Sequence, residues 1–288
     1  LGLSAYKEDL AFDTNFIVYE DLSKNDSDRY EFVYPSYNLN KQFNEIEDFN
    51  GSFSFSSNGY QKNYDTNIFE TVAVNDLLFN SNSNYTDKGF IKNYNFLLRN
   101  INTDSKNSSK YKESVDYKLA SIMEYNVSYP LNKKLDNNTD ILKPKISLKY
   151  SPNNNRNMRH ENRRIDINNI FSLERLGAKD TVEGGVSFTY GLDYAKTNKD
   201  EKEVLGARVA NILRMNEDKN LPNNSTLGQK TSNIVGDLNL SPNDNLNFKY
   251  NFLLYENLSD INYQSFETEF KVNNFITKFE YLNENNTV

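Results

Sequence analysis

The chain has no cysteine and no tryptophan, and a single histidine, His160. Without thiols there is neither a disulfide nor a thiolate metal site, and a lone imidazole leaves no histidine cluster for metal binding or acid–base catalysis. His160 stands between Arg159 and Glu161, so it reads as a solvated loop residue. Basic residues are the minority, 33 Lys and Arg against 40 Asp and Glu. A net charge of −7 argues against a nucleic-acid surface, which needs a basic face. No stretch approaches the ~20 apolar residues of a membrane-spanning helix, and no charged segment followed by an apolar one marks a signal peptide. The chain opens on Leu1-Gly2-Leu3 and closes on Asn285-Asn286-Thr287-Val288 directly after a strand-like segment. Both ends read as cut, as in an internal piece of a longer protein.

Apolar residues are also scarce, 37% of the chain, and the mean hydropathy is −0.79. Yet Tyr and Phe number 20 and 19. A closed sheet with apolar side chains outside and a wet interior reconciles these figures, because half of every strand can then be polar.

The distribution supports this reading. Between residues 141 and 150, Leu142, Pro144, Ile146, Leu148 and Tyr150 share one parity, while Lys143, Lys145, Ser147 and Lys149 share the other. Between 185 and 194, Val186, Phe188, Tyr190, Leu192 and Tyr194 alternate with Gly185, Ser187, Thr189, Gly191 and Asp193. Side chains of a strand point to opposite faces with period two, so each segment has one apolar and one polar face. The same pattern runs through 115–129, where helical spacing would place the apolar residues three and four apart. Strand patterns also cover 13–20, 30–39, 52–56, 68–79, 90–99, 203–213, 231–240 and 246–254, that of 68–79 being less tidy. Pro35 cannot donate to a ladder and predicts an edge, a bulge or a local weakness in pairing.

Phe266, Phe270 and Val272 run into Asn273-Asn274, and Phe275, Phe279 and Tyr281 run out. This predicts a two-residue hairpin with Val272 and Phe275 as cross-strand partners, since asparagine tolerates the positive φ of such turns. Connections alternate between long polar excursions, 151–180 and 214–230, and short turns at 241–244 and 273–274, the asymmetry of outer-membrane barrels. The fold expected is all-β: an antiparallel transmembrane β-barrel, incomplete, with roughly a dozen strands of a larger barrel, no required helix and no second domain within 1–288.

Nothing forms a catalytic constellation, and an enzyme is not expected. Asp166 and Glu183 are available as a carboxylate pair, but no motif gives them context. Gly184-Gly185 reads as a bend or a close backbone approach. Lys143, Lys145 and Lys149 lie on the polar parity and would point into a lumen, and Arg156, Arg159, Arg163 and Arg164 crowd the following loop. These bases either contact an anionic amphiphile such as a lipopolysaccharide phosphate or form a solvated face balanced by nearby acids.

Ile141-Leu142-Lys143-Pro144-Lys145-Ile146 resembles a strand with a proline near its start in the outer-membrane LptD family of lipopolysaccharide-assembly proteins, also called organic solvent tolerance proteins. Asp166, Asn169, Phe171, Leu173, Arg175, Gly177, Asp180, Glu183, Gly184, Gly185, Tyr190 and Gly191 are similar in type and spacing to a stretch of its alphaproteobacterial members. The resemblance implies a large barrel in the bacterial outer membrane that takes lipopolysaccharide from a periplasmic bridge and releases it sideways into the outer leaflet, with an LptE-like lipoprotein plugging the lumen and no cofactor. It also implies that this chain is a later part of the barrel, the lateral gate, the periplasmic domain and the family's cysteines lying elsewhere. Another outer-membrane barrel, a porin or ligand-gated transporter, would serve the same alternation. So would a soluble surface or adhesin-type β-sandwich, if the apolar face packed on a second sheet.

Overall fold

The computed structural model describes residues 1–45, 47–256 and 260–284. The closing residues 285–288, read above as a cut end, lie outside this range. The sixteen strands among the described residues are β1 (Gly2–Lys7), β2 (Leu10–Glu20), β3 (Tyr30–Gln42), β4 (Gly51–Tyr64), β5 (Ile68–Ser81), β6 (Asn84–Tyr85), β7 (Ile91–Lys106), β8 (Asp116–Ser128), β9 (Leu131–Lys134), β10 (Asn138–Ser151), β11 (Gly185–Asn198), β12 (Glu203–Arg214), β13 (Ile234–Asn243), β14 (Leu246–Leu254), β15 (Ile261–Val272) and β16 (Phe275–Glu284). The only helical turns among the described residues are 3-10 turns at Asp26–Arg29, Glu47–Phe49 and Thr226–Gly228.

The strands form one antiparallel sheet in sequence order, with β6 and β9 as short additions to β7 and β10. Among the described residues its path runs from β1 to β16. The count exceeds the expected dozen because β1, β6 and β9 carry too little alternation to be read locally. β13 begins at Ile234 rather than 231, and the chain before it meets β12 through an isolated bridge between Leu213 and Thr231 and the Ser232 N–H donating to the Ile212 carbonyl at 2.9 Å. The predicted hairpin is present: Val272 and Phe275 are partners, and Asn273 has φ +52°. Around Pro35 the register of β3 against β4 shifts between Val33 and Ser36, as the missing donor requires.

By contacts the chain divides into two units. The first comprises residues 1–82, 94–123 and 178–182, and the second 83–93, 124–177 and 183–288. In the first, Val72, Val74 and Ile101 form a small buried cluster with Tyr60 and Tyr111 against it. Beside it Arg99, 1% exposed, reaches Asp76 through Nε and Nη2 at 2.7 and 2.6 Å and donates through Nη1 to the carbonyls of Ala178 and Thr181 at 3.0 and 2.9 Å.

In the second unit the usual inside and outside of a water-soluble sheet are exchanged. Along β10 and β11 the polar Ser147, Lys149, Ser187 and Thr189 are 0–2% exposed, while Ile146, Leu148, Tyr150, Phe188 and Tyr190 are 36–50% exposed. Register multiplies the effect. Ile146 faces Tyr190 and Leu148 faces Phe188, so the exposed apolar residues form a continuous surface across strands. β15 does the same with Phe266 and Phe270 outside and Ser265 buried.

Candidate functional site: an insert locked onto the polar face

The polar face of β10, β11 and β12 is buried because the chain between β10 and β11 folds back over it. The sequence suggested a long polar excursion over 151–180. Within it, however, Met158, Ile165, Ile167, Ile170 and Leu176 are at most 9% exposed. These residues are too scattered to form a strand or helix of their own, so only the tertiary fold buries them.

The insert is held by charges drawn from both sides. The Lys149 ammonium donates to the carbonyls of Ser172 and Leu173 at 2.6 and 2.8 Å and lies 3.9 Å from Glu124 of β8. Arg175 pairs with Glu183 at 3.2 Å and donates to Ser187 Oγ and Thr189 Oγ1 of β11 at 2.9 and 3.1 Å. Arg214, the last residue of β12, reaches the same Glu183 oxygen at 2.6 Å and the Gly184 carbonyl at 2.6 Å. Burial pushes the Glu183 carboxyl up, but the charges of Arg175, Lys149 and Arg214 outweigh it and hold it below its usual value. Ion pairs this deep form only where each charge meets a counter-charge or fixed dipole.

The motif residues fall into place on this lock. Asp166 accepts from the backbone N–H groups of Asn168 and Asn169 at 2.7 and 3.0 Å, and Asn169 answers by accepting from Asp166 N–H at 2.8 Å and donating to the Arg164 carbonyl at 2.9 Å. This reciprocal turn starts the segment that carries Phe171. The Phe171 ring lies 4.3 Å below the Lys145 ammonium and so close to Gly191 that a Cβ there would sit 3.1 Å from it. Leu173 supplies a carbonyl to Lys149. Gly177 and Gly185 have φ of +59° and +85°. Gly184 donates its N–H to Asn155 Oδ1 at 2.5 Å, and a Cβ on it would fall 2.0 Å from the Asn153 carbonyl oxygen, which only glycine permits. Asp180 serves the first unit, accepting from the Tyr111 hydroxyl at 2.5 Å and pairing with Lys110 at 2.8 Å. Pro144 faces Leu192, and Tyr190 lies on the exposed face.

Asp166 and Glu183 therefore have separate structural tasks, the first in a turn and the second between two guanidinium groups. The lysines of the polar parity differ from one another. Lys149 is sealed under the insert, Lys145 pairs with Asp193 at 2.8 Å, and Lys143 is half-buried opposite Asp193 in register. The loop arginines are balanced by neighbouring acids and carbonyls, and Arg159 is exposed. Arg156 and Arg163 both bind Glu161, at 2.5 and 2.7 Å, Arg159 donates to the Lys219 carbonyl at 3.2 and 3.1 Å, and Arg164 pairs with Glu284. His160 is exposed, as expected. Arg214, Asn155 and Glu124 escaped the sequence reading, although Glu124 stands on the polar parity of β8, where a buried acid signals a counter-charge.

The sequence model of the LptD family, described as LPS transport system D, matches residues 1–288. The chain belongs to the LptD family. Its substrate is accordingly lipopolysaccharide and its role lies in lipopolysaccharide transport to the outer membrane. LptD is an outer-membrane transport and assembly family of β-barrel proteins, which agrees with the all-β sheet. Among the described residues no helix is long and apolar enough to cross a membrane, a statement that leaves strands free to do so. No curated protein matches the chain. Neither the porin nor the ligand-gated transporter reading gains support from the match. The β-sandwich reading requires a covered apolar face, whereas Phe188, Tyr190 and Phe266 are exposed.

Proposed function

We propose that residues 1–288 form part of one barrel domain of a translocon in the bacterial outer membrane that inserts lipopolysaccharide into the outer leaflet, and that it carries out no enzymatic step. The observation that carries this reading is the exchange of faces: Leu148 and Phe188 outside, Lys149 and Thr189 sealed within. Hydrocarbon is the solvent in which that arrangement leaves no apolar surface against water and no backbone group unpaired.

On this reading the motif from Asp166 to Gly191 fastens the insert to the wall, and Lys143 and Lys145 face passing lipopolysaccharide, with Lys149 anchoring the insert behind them. The partners proposed are an LptE-like plug lipoprotein and a periplasmic lipopolysaccharide bridge. The polar residues Asn38, Asn58 and Ser36 on β3 and β4 are only half-buried, and a plug lipoprotein would cover such a face. The test is depletion of the protein in its own cell, followed by modification of surface lipopolysaccharide with an impermeant reagent. Surface lipopolysaccharide should fall, and an unchanged level would overturn the proposal.

A further inference from the structure

In the first unit the exchange of faces is incomplete. Val74, Ile101 and Arg99 share the side of β5 and β7 to which the carbonyls of Ala178 and Thr181 are bound, so the opposite parity points outward. On β10 the outward parity is apolar without a break from Leu142 to Tyr150. The outward positions in the middle of β4, β5 and β7 instead carry Ser57, Asn75, Asn100 and Asn102. They stand in register, Ser57 opposite Asn75 and Asn75 opposite Asn100.

These side chains form one hydrogen-bonded ladder across three strands. Ser57 donates to Asn75 Oδ1 at 2.7 Å, and Asn75 donates to Asn100 Oδ1 at 3.1 Å. Asn102 donates to the same Asn100 oxygen at 2.6 Å and to the Ala73 carbonyl at 3.3 Å. Two functions are left over, the NH2 of Asn100 and the Oδ1 of Asn102, neither of which has a partner among the described residues. A hydrocarbon tail satisfies neither, and each carries the cost of an unpaired polar group in an apolar solvent.

We infer that this outward wall of the first unit docks a second copy of the same chain about a two-fold axis beside Asn100 and Asn102, an inference that rests on the membrane reading above. The leftover pair is self-complementary. A two-fold rotation brings the Asn100 NH2 of each copy to the Asn102 oxygen of the other, so that all four groups are satisfied at once. A partner of another sequence would need the same donor and acceptor at the same spacing, whereas a second copy supplies them by symmetry.

The surroundings fit such a contact. No member of the ladder is charged, so like surfaces do not repel. Ala73 lies opposite Asn102 and lets a second wall come close; contacts between membrane-spanning helices combine small residues with amide and hydroxyl bonds in the same way. Apolar side chains border the ladder. Leu77 and Leu98 face each other on one flank, and Tyr117 and Leu119 stand exposed on the neighbouring β8. These side chains pack between the two walls while the amides fix their register.

The experiment uses the full-length protein in its native outer membrane, produced in two differently tagged forms in one cell. A photoreactive amino acid replaces Ala73, Leu98 or, as a control on the exposed face of β11, Phe188. Irradiation should join Ala73 and Leu98 to the other copy, giving a product that carries both tags, while Phe188 should be joined to lipid. Asn100→Leu combined with Asn102→Leu should lower the two-tag product at Ala73 about tenfold, as the loss of amide bonds within a membrane requires. Folding of each variant is verified by its heat-dependent mobility on gels and by an unchanged lipid adduct at Phe188. If Ala73 and Leu98 are joined only to lipid or to a different protein, or if the double variant leaves the two-tag product undiminished, the second-copy contact is overturned although the membrane reading stands. If Phe188 forms no lipid adduct, the membrane reading falls and the contact with it.

Discussion

Arg175 and Arg214 grip one carboxylate oxygen, Oε1 of Glu183, at 3.2 and 2.6 Å. One guanidinium comes from the insert and the other from the wall, so Glu183 is the shared counter-charge that joins a connecting segment to a strand. Two cations on one acid cost more to separate from it than any exposed pair, because neither can be resolvated without opening the insert.

Glu183→Gln therefore leaves two guanidinium groups buried without an anion. The expected loss is ~3–5 kcal/mol in the packing of the insert, the usual cost of removing one partner of a buried pair. Trypsin applied to intact membranes should then cut after Arg163 or Arg164 far faster than in the parent protein. An unchanged cleavage rate would show that the insert is held elsewhere.

The same pair sets a pH dependence. Glu183 is held below its usual 4.5, so its stabilising contribution is complete above pH 4.5 and is lost as the pH falls through the lowered folded value. Glu161, raised by burial but lowered further by Arg156 and Arg163, adds in the same direction. Hydrogen exchange of residues 161–184 should be slow and level from pH 7 to about 5 after correction for intrinsic rates, and should accelerate below 4.5. In Glu183→Gln that acceleration should be reduced.

Gly184→Ala places a methyl 2.0 Å from the Asn153 carbonyl oxygen, a backbone atom that cannot swing aside. We expect ~1–3 kcal/mol of destabilisation from such overpacking, seen as a lower unfolding midpoint in urea with lipid vesicles. Gly177→Ala, with nothing nearer than 3.9 Å, should suffer only its positive-φ strain.

On β15, Phe266→Arg and Glu267→Arg separate the two solvents. Phe266 lies outside at mid-strand and Glu267 on the polar face. The first change should cost ~2–4 kcal/mol on folding into lipid vesicles if it lies near the bilayer midplane, and the second much less. Equal costs would mean that the faces have been assigned wrongly.

At the β15–β16 turn, Asn273→Gly should be tolerated, whereas Asn273→Val should cost ~1–2 kcal/mol, because a β-branched residue resists the φ of +52°. Thermal melting of the two variants in detergent checks the difference.

Much of this could be read locally. Strands β8, β10, β11 and β14 were legible because a period of two needs only neighbouring residues, and the last hairpin because Asn273-Asn274 names its own turn. β1, β6 and β9 were missed, since their pairing partners rather than their own alternation define them. The motif residues could be picked out by spacing, but their tasks could not: Phe171 against Gly191, or Arg175 against Thr189, joins positions whose proximity depends on the path of the intervening chain.

The sequence determined, by itself, that the chain makes antiparallel strands with one greasy and one wet side, because alternation is written residue by residue. Only the tertiary structure decided that the polar side of β10, β11 and β12 is sealed by residues 152–177 and 183–184 rather than left to water. That outcome depends on Lys149, Arg175, Glu183 and Arg214 meeting across long stretches of sequence, and a buried charge has meaning only once its counter-charge has arrived.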